Sequence, residues 1–348
     1  MISAKTIINE SNLSKNPIFA DVDHLPSIDG IREAHSLIHE SAKNTPLVHS
    51  AALSQFFNAD VWLKNETASP ISCFKIRGAL TDLIRCSRQK KVYGAVTSST
   101  GNHGQGVAYA ARLLDIPAHI FLPEKANPLK RRNIGILGAE IHDFGDDIDD
   151  AKDQARKFAD SNEYLFVDDG ESLNVIEGAG TVGLEIAQSL QNIDAVFVPM
   201  GSGSLAGGVA AAIKSLHPSA RVIAVQSDGA PAMVKSFRER KAISHSINTI
   251  ADGLVCRLPA LLALKSLLAF VEDAELVSDE ELLQSITALA EFGHVLVEPS
   301  GAAGLAGMLK RKREITGKSV VLVLTGANIA VDVLRKALNF RTSLEYSA

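Results

Sequence analysis

Three groups of residues in this chain could do chemistry. The first is Lys75, within Ser72-Cys73-Phe74-Lys75-Ile76-Arg77-Gly78-Ala79. A lysine amine can attack a carbonyl group and can carry a proton. The second is the polar string Ser99-Thr100-Gly101-Asn102-His103. The third is the glycine-rich string Gly201-Ser202-Gly203-Ser204-Leu205-Ala206-Gly207-Gly208.

The glycine-rich string follows the apolar run 195–199 and opens a helical pattern at Leu205. Glycines let backbone N–H groups approach an anion, and the helix N-terminus adds positive potential. A phosphate is the expected guest. The string also reads as Gly-x-Gly-x-x-Ala, a dinucleotide pattern. That reading wants an acid at the end of the next strand. The strand expected at 221–226 ends in Gln226, so a dinucleotide is disfavoured. The string from Ser99 to His103 also lies between a strand and a helix, where backbone donors suit a carboxylate. An amine, a phosphate cradle and a carboxylate turn are what pyridoxal 5'-phosphate (PLP) requires for work on an amino acid.

With these motifs quoted, the chain resembles the fold type II PLP enzymes of the threonine/serine dehydratase and serine racemase-like branch. The resemblance runs from Thr45-Pro46-Leu47 to Asn328. It includes Thr249-Ile250-Ala251-Asp252-Gly253, Glu298-Pro299-Ser300-Gly301-Ala302 and Thr325-Gly326-Ala327-Asn328, in that order. It implies an α/β protein with two open, mainly parallel twisted sheets flanked by helices, as in tryptophan synthase β. Residues 1–87 and 171–348 would form the large PLP-binding domain, and 88–170 the small substrate-side domain. The chain would carry no C-terminal regulatory domain.

The same resemblance assigns roles. Lys75 would hold PLP and act as the catalytic base. Phe74, Asn102, Gly201, Ser202, Gly203, Ser204, Leu205 and Thr325 would bind the cofactor. Ser99, Thr100, Gly101, Asn102 and His103 would surround the substrate carboxylate. The Thr325 hydroxyl would face the pyridine nitrogen as a neutral partner, which favours elimination over transamination. The implied reaction is ammonia-lyase (dehydratase) action on a β-hydroxy amino acid, L-threonine first and L-serine second. The rival among enzymes is an amino-acid racemase of the serine racemase kind. Hydroxyectoine-breakdown, phenylserine and 3-hydroxyaspartate dehydratases stay open, as does a PLP- or amino-acid-binding protein without turnover.

Departures from the family pattern sharpen this. Racemases carry serine where this chain has Thr100, whose β-branch restricts its rotamers. Relatives bind a divalent cation with Glu and Asp where this chain has Gln226 and Ala232. No hard cation is therefore expected there, and no metal ligands are assigned. The histidines lack metal spacing along the sequence. Cys73 stands where serine is commoner, and Glu171 lies near an expected pocket Asn.

Bulk properties fit a soluble enzyme. The 348 residues are 46% hydrophobic and 22% charged, with a net charge of -5. That balance argues against nucleic acid as a partner. The run Lys310-Arg311-Lys312-Arg313 reads as the end of a helix. Three cysteines without metal spacing fit a reducing compartment. No signal or membrane segment is legible, so a cytoplasmic homo-oligomer, dimer or tetramer, is expected. Apolar runs at 93–97, 119–122, 140–144, 195–199, 221–226, 294–297 and 320–324 read as buried parallel strands. Helical patterns cover 104–114, 148–162, 181–190 and 205–216.

Overall fold

The computed structural model describes residues 25–99, 101–124, 126–145 and 148–340. After helix α1 (Ile28–Ile38) come β1 (Leu47–His49), α2 (Ala51–Phe57) and β2 (Asp60–Asn65). Helix α3 (Lys75–Gln89) leads to β3 (Ala95–Ser98), α4 (Asn102–Leu113), β4 (Ala118–Leu122), α5 (Pro128–Ile136) and β5 (Glu140–Asp143). Next are α6 (Ile148–Asn162), β6 (Leu165–Phe166), α7 (Leu173–Ser189), β7 (Ala195–Pro199), α8 (Ser204–Leu216) and β8 (Arg221–Ser227). The chain continues through α9 (Ala232–Glu239), α10 (Leu261–Phe270), β9 (Asp273–Val277), α11 (Asp279–Phe292), α12 (Pro299–Lys310), α13 (Lys312–Ile315), β10 (Ser319–Leu324) and α14 (Val331–Leu338).

Two sheets result. The larger has the order β1-β2-β10-β7-β8-β9, and the smaller β5-β4-β3-β6. All pairings are parallel except β1 with β2. Every residue of β7 and β4 is buried, as are all but the first of β8 and β10. Helices cover both faces of such strands, which is why they read as unbroken apolar runs. Strand order reverses between β7 and β10. At such a switch point the strand ends splay, and ligands bind beyond their carboxyl ends.

Helices α7 and α8 cross almost backbone to backbone. A Cβ on Gly208 would lie 2.2 Å from the Ile176 carbonyl oxygen, and one on Gly180 would lie 2.9 Å from that of Gly208. This contact seats the glycine-rich turn on the core. Helix α7 starts well before residue 181, because Ser172 caps it by accepting from the Val175 N–H.

One expected strand is corrected. Residues 294–297 form no strand, and His294 has φ +54°. The sheet edge is instead β9, which the sequence reading missed. Its alternation is weak, and two of its side chains are acids. Arg311, from the basic run at the end of α12, bonds Asp273 at 2.7 Å and Glu275 at 3.0 Å. Among the described residues no helix is long and apolar enough to cross a membrane.

A buried ion cluster anchors the start of α3. Arg77 bonds Glu66 at 2.8 Å and Glu185 at 2.5 Å, and Lys64 bonds Glu185 at 2.5 Å. All four side chains are almost wholly buried. Burial alone would raise the Glu185 carboxyl, but Arg77 and Lys64 outweigh it and hold its pKa low. Arg77→Met would leave Glu66 without its guanidinium and Glu185 with one cation. The expected loss is about 3–5 kcal/mol in urea unfolding, because an uncompensated buried charge remains.

Candidate active site

The chemistry-bearing residues meet at strand ends. Lys75 is the first residue of α3, and Phe74 caps that helix with no side-chain bond. The Phe74 N–H donates to the Thr325 carbonyl oxygen at 3.1 Å, and Cys73 forms a bridge with Gly326. The loop carrying Lys75 is thereby pinned to the end of β10. Gly201–Gly203 follow β7, and α8 starts at Ser204. A small cavity is lined by Phe74, Lys75, Gly201–Leu205, Ser300 and Thr325. The adjoining cleft adds Ser99, Asn102, His103, Asp168, Asp169 and Gly170 from the smaller sheet's side.

The cradle demands glycine. Gly203 has φ +95°, and a Cβ there would press on Leu267, Met233 and Ala263 at 3.2–3.3 Å. A Cβ on Gly201 would lie 2.5 Å from the Gly253 carbonyl oxygen.

A carboxylate from the adjoining cleft already meets Lys75 and the cradle's serine hydroxyls. Both Asp169 oxygens accept from the Lys75 amine at 2.5 Å. Asp169 also accepts from the Ser202 hydroxyl at 3.0 Å and the Ser204 hydroxyl at 3.4 Å. Burial alone would raise its pKa, but the Lys75 ammonium outweighs that and holds the carboxyl well below its usual range. The carboxylate stands in for a phosphate-type oxygen, so this donor set fits an anionic cofactor. A PLP seated as the sequence implies would displace it from both serines and from Lys75. The Asp169→Asn enzyme should therefore take up PLP several-fold faster than wild type, as followed by absorbance after mixing apoprotein with cofactor.

Two buried polar atoms beside the cavities lack a hydrogen-bond partner among the described residues: Ser300 Oγ and His103 Nδ1. His103 Nε2 bonds the Val167 carbonyl oxygen at 3.1 Å, and Nδ1 lies 3.7 Å from Asp169. Burial pushes the His103 pKa down, favouring a neutral ring. Unsatisfied buried polar atoms at a cavity wall are what a missing polar ligand leaves behind.

The string before α4 serves in several ways. The Ser99 hydroxyl accepts from the Gly101 N–H at 3.0 Å, closing the turn. Thr100 lies outside the described residues. The Asn102 amide donates to Glu298 at 2.5 Å and accepts from Asn328 at 3.0 Å. Glu298 in turn faces Lys130 at 2.9 Å, and Lys130 bonds Asp252 at 2.7 Å. Burial pushes the Glu298 carboxyl up. Burial alone would lower the Lys130 ammonium, but Glu298 and Asp252 outweigh it and raise it. Four of the sequence motifs, through Asn102, Asp252, Glu298 and Asn328, are tied together by this network.

Other residues singled out in the sequence take structural roles. Glu171 does not line the cleft but accepts from the Leu261 N–H at 2.8 Å, capping α10. Burial drives the Cys73 thiol far up, leaving it inert. The Gln226 amide is spent on backbone, accepting from the Val234 N–H at 3.0 Å and donating to the Leu254 carbonyl oxygen at 3.4 Å. Asp169 and Lys130 went unnoticed in the sequence. For Asp169 a signal existed: Asp168-Asp169-Gly170 follows a strand, as the other site segments do. Lys130 offered none.

Comparison with known proteins agrees with this geometry. The model of the pyridoxal-phosphate dependent enzyme family matches residues 38–326. An L-threonine ammonia-lyase of Thermotoga maritima is 34% identical, over 90% of this chain and 78% of its own. The solved serine racemase of maize superposes with a TM-score of 0.85 at 31% identity, over 90% of this chain and 97% of that one. A threonine deaminase of Solanum lycopersicum gives 0.83 at 27%, over 91% and 90%. The chain belongs to the pyridoxal-phosphate dependent enzyme family, in its fold type II threonine/serine dehydratase branch. It is a PLP-dependent carbon–nitrogen lyase.

Proposed function

We propose that this lyase converts L-threonine to 2-oxobutanoate and ammonia, with L-serine as second substrate. The observation that carries this reading is the meeting of Lys75, the glycine cradle and Thr325 around one cavity, which adjoins the Ser99–His103 cleft. Bound PLP would supply an electron sink for the substrate's α-carbon. The backbone donors of Gly201–Leu205 and the Ser202 and Ser204 hydroxyls would hold its phosphate. Thr325 would offer the ring nitrogen a neutral hydroxyl. Lys75 takes the α-proton and, as its ammonium, returns a proton to the β-hydroxyl, which departs as water. Backbone donors at the start of α4 orient the substrate carboxylate. The enamine formed then tautomerises and hydrolyses to the 2-oxo acid and ammonia.

Asp169 bears on substrate choice. Once released from Lys75, its carboxylate remains beside the substrate cleft and repels an acidic side chain. This disfavours 3-hydroxyaspartate against threonine and serine. The segments built on the two sheets would act as two domains, divided near residues 87 and 171, in a cytoplasmic dimer or tetramer.

The test is a screen of the PLP-loaded protein against L-threonine, L-serine and 3-hydroxyaspartate, with 2-oxo acids and substrate chirality both measured. Threonine should yield 2-oxobutanoate with the highest kcat/KM. Racemised substrate without 2-oxo acid would replace this reading with the racemase one, which the likeness to the maize structure favours. A preference for 3-hydroxyaspartate would overturn the role given to Asp169.

A further inference from the structure

A second cluster of chemically capable side chains lies apart from the active cleft, on the smaller sheet. His119 comes from β4, and Glu140 and His142 from β5. The register sets His119 opposite Glu140, with His142 opposite Phe121. Residues two apart on a strand share a face, so Glu140 and His142 lie together beside His119. Sequence spacing hides this trio because a β4–α5–β5 crossover separates its members.

The donor atoms converge. His119 Nδ1 lies 3.1 Å from His142 Nε2. Glu140 Oε2 lies 3.6 Å from His119 Nδ1, and its Oε1 lies 3.4 Å from His142 Nε2. A tetrahedral ion with bonds of about 2.0–2.1 Å spaces its ligands by roughly 3.3 Å. The nitrogen–nitrogen spacing lies close to that value, and with one oxygen taken from Glu140 all three donor atoms fall within 4.8 Å of one another. Neighbouring rings hold the imidazoles in place. His119 stacks on Tyr164 at 5.4 Å and 22°, and His142 stacks on Phe121 at 4.5 Å and 16°. Phe158 packs against both, at 4.8 and 5.2 Å. The His119 side chain is 11% exposed, His142 25% and Glu140 64%, so a fourth position opens to water.

We propose that His119, Glu140 and His142 form a binding site for a zinc-class divalent transition ion that staples the edge strand β5 to β4. Two imidazoles and one carboxylate suit zinc, cobalt or nickel, whereas magnesium and calcium prefer an all-oxygen shell. The site shares no residue with the cleft around Lys75, so its occupancy acts on the stability of the smaller sheet and not on the lyase reaction.

The experiment uses tag-free PLP-loaded enzyme stripped with chelator, then titrated with Zn²⁺ by calorimetry and with Co²⁺ by visible absorbance. One ion per chain should bind with a Kd in the micromolar range or below. Zinc should raise the melting temperature by several degrees while equimolar Mg²⁺ leaves it unchanged. His142→Gln and Glu140→Gln should each weaken zinc binding at least ten-fold and abolish the thermal shift. Both positions are partly exposed, so both variants should fold, with turnover near wild type. No binding at 100 µM zinc would show a trio held by hydrogen bonds alone and overturn the proposal. So would variants that bind zinc as wild type does.

Discussion

Lys75→Ala is expected to lower lyase turnover by at least about 10⁴-fold while leaving the fold intact. Positioned proton transfer alone contributes about 10²–10⁴-fold, and the covalent anchor for the cofactor is lost as well. Among the described residues the other amines lining the cleft are committed elsewhere: Lys130 to Glu298 and Asp252, and Lys152 to Asp168. Lys75→Arg is the companion variant. It preserves a cation for Asp169, so any shared loss is chemical and not electrostatic. Borohydride, which fixes a carbonyl group onto the lysine amine it has joined, should label the wild type with PLP and neither variant. Turnover within ten-fold of wild type in either variant would refute the role of Lys75.

Gly203→Asp should weaken PLP binding by about 10²–10³-fold. A carboxylate on the cradle meets the phosphate charge at close range, which costs on the order of 4 kcal/mol at 4 Å and an effective dielectric of 20. Backbone strain adds to this, because an L-residue at φ +95° is disfavoured by about 1–2 kcal/mol. Gly203→Ala separates the two effects. It carries the strain and the Cβ contacts but no charge, so its affinity should fall far less. Fluorescence titration with PLP measures both. Equal affinities for the two variants would place the phosphate elsewhere.

The strand–turn–helix segments of the site were legible because each is local. In each, an apolar run ends, a Gly- or Ser-rich turn follows, and a helical pattern begins. Gly203 needs its positive φ, and Gly208 its bare Cα against Ile176, so both are glycine for reasons a single sequence can hint at. Strands buried on both faces, such as β7 and β10, were legible for the same reason. Edges were not. The run at 294–297 is apolar yet pairs with nothing, whereas β9, half exposed and carrying two acids, pairs with β8. Whether a segment is a strand there depends on a neighbour that periodicity does not report.

The sequence by itself determined which residues could do chemistry and the kind of cofactor they suit. Residue type and the order of short motifs carry that information. Only the tertiary structure decided who stands beside whom. It placed Asp169 on the Lys75 amine, enclosed Arg77 between Glu66 and Glu185, and linked Asn102 through Glu298 to Lys130. It also brought His119 to His142 across two strands. These pairings join residues far apart in the chain, and they exist only once strand register and helix packing have brought their backbones together. Ion pairs and hydrogen bonds act over a few ångströms, so their partners follow from the folded path and not from the order of residues.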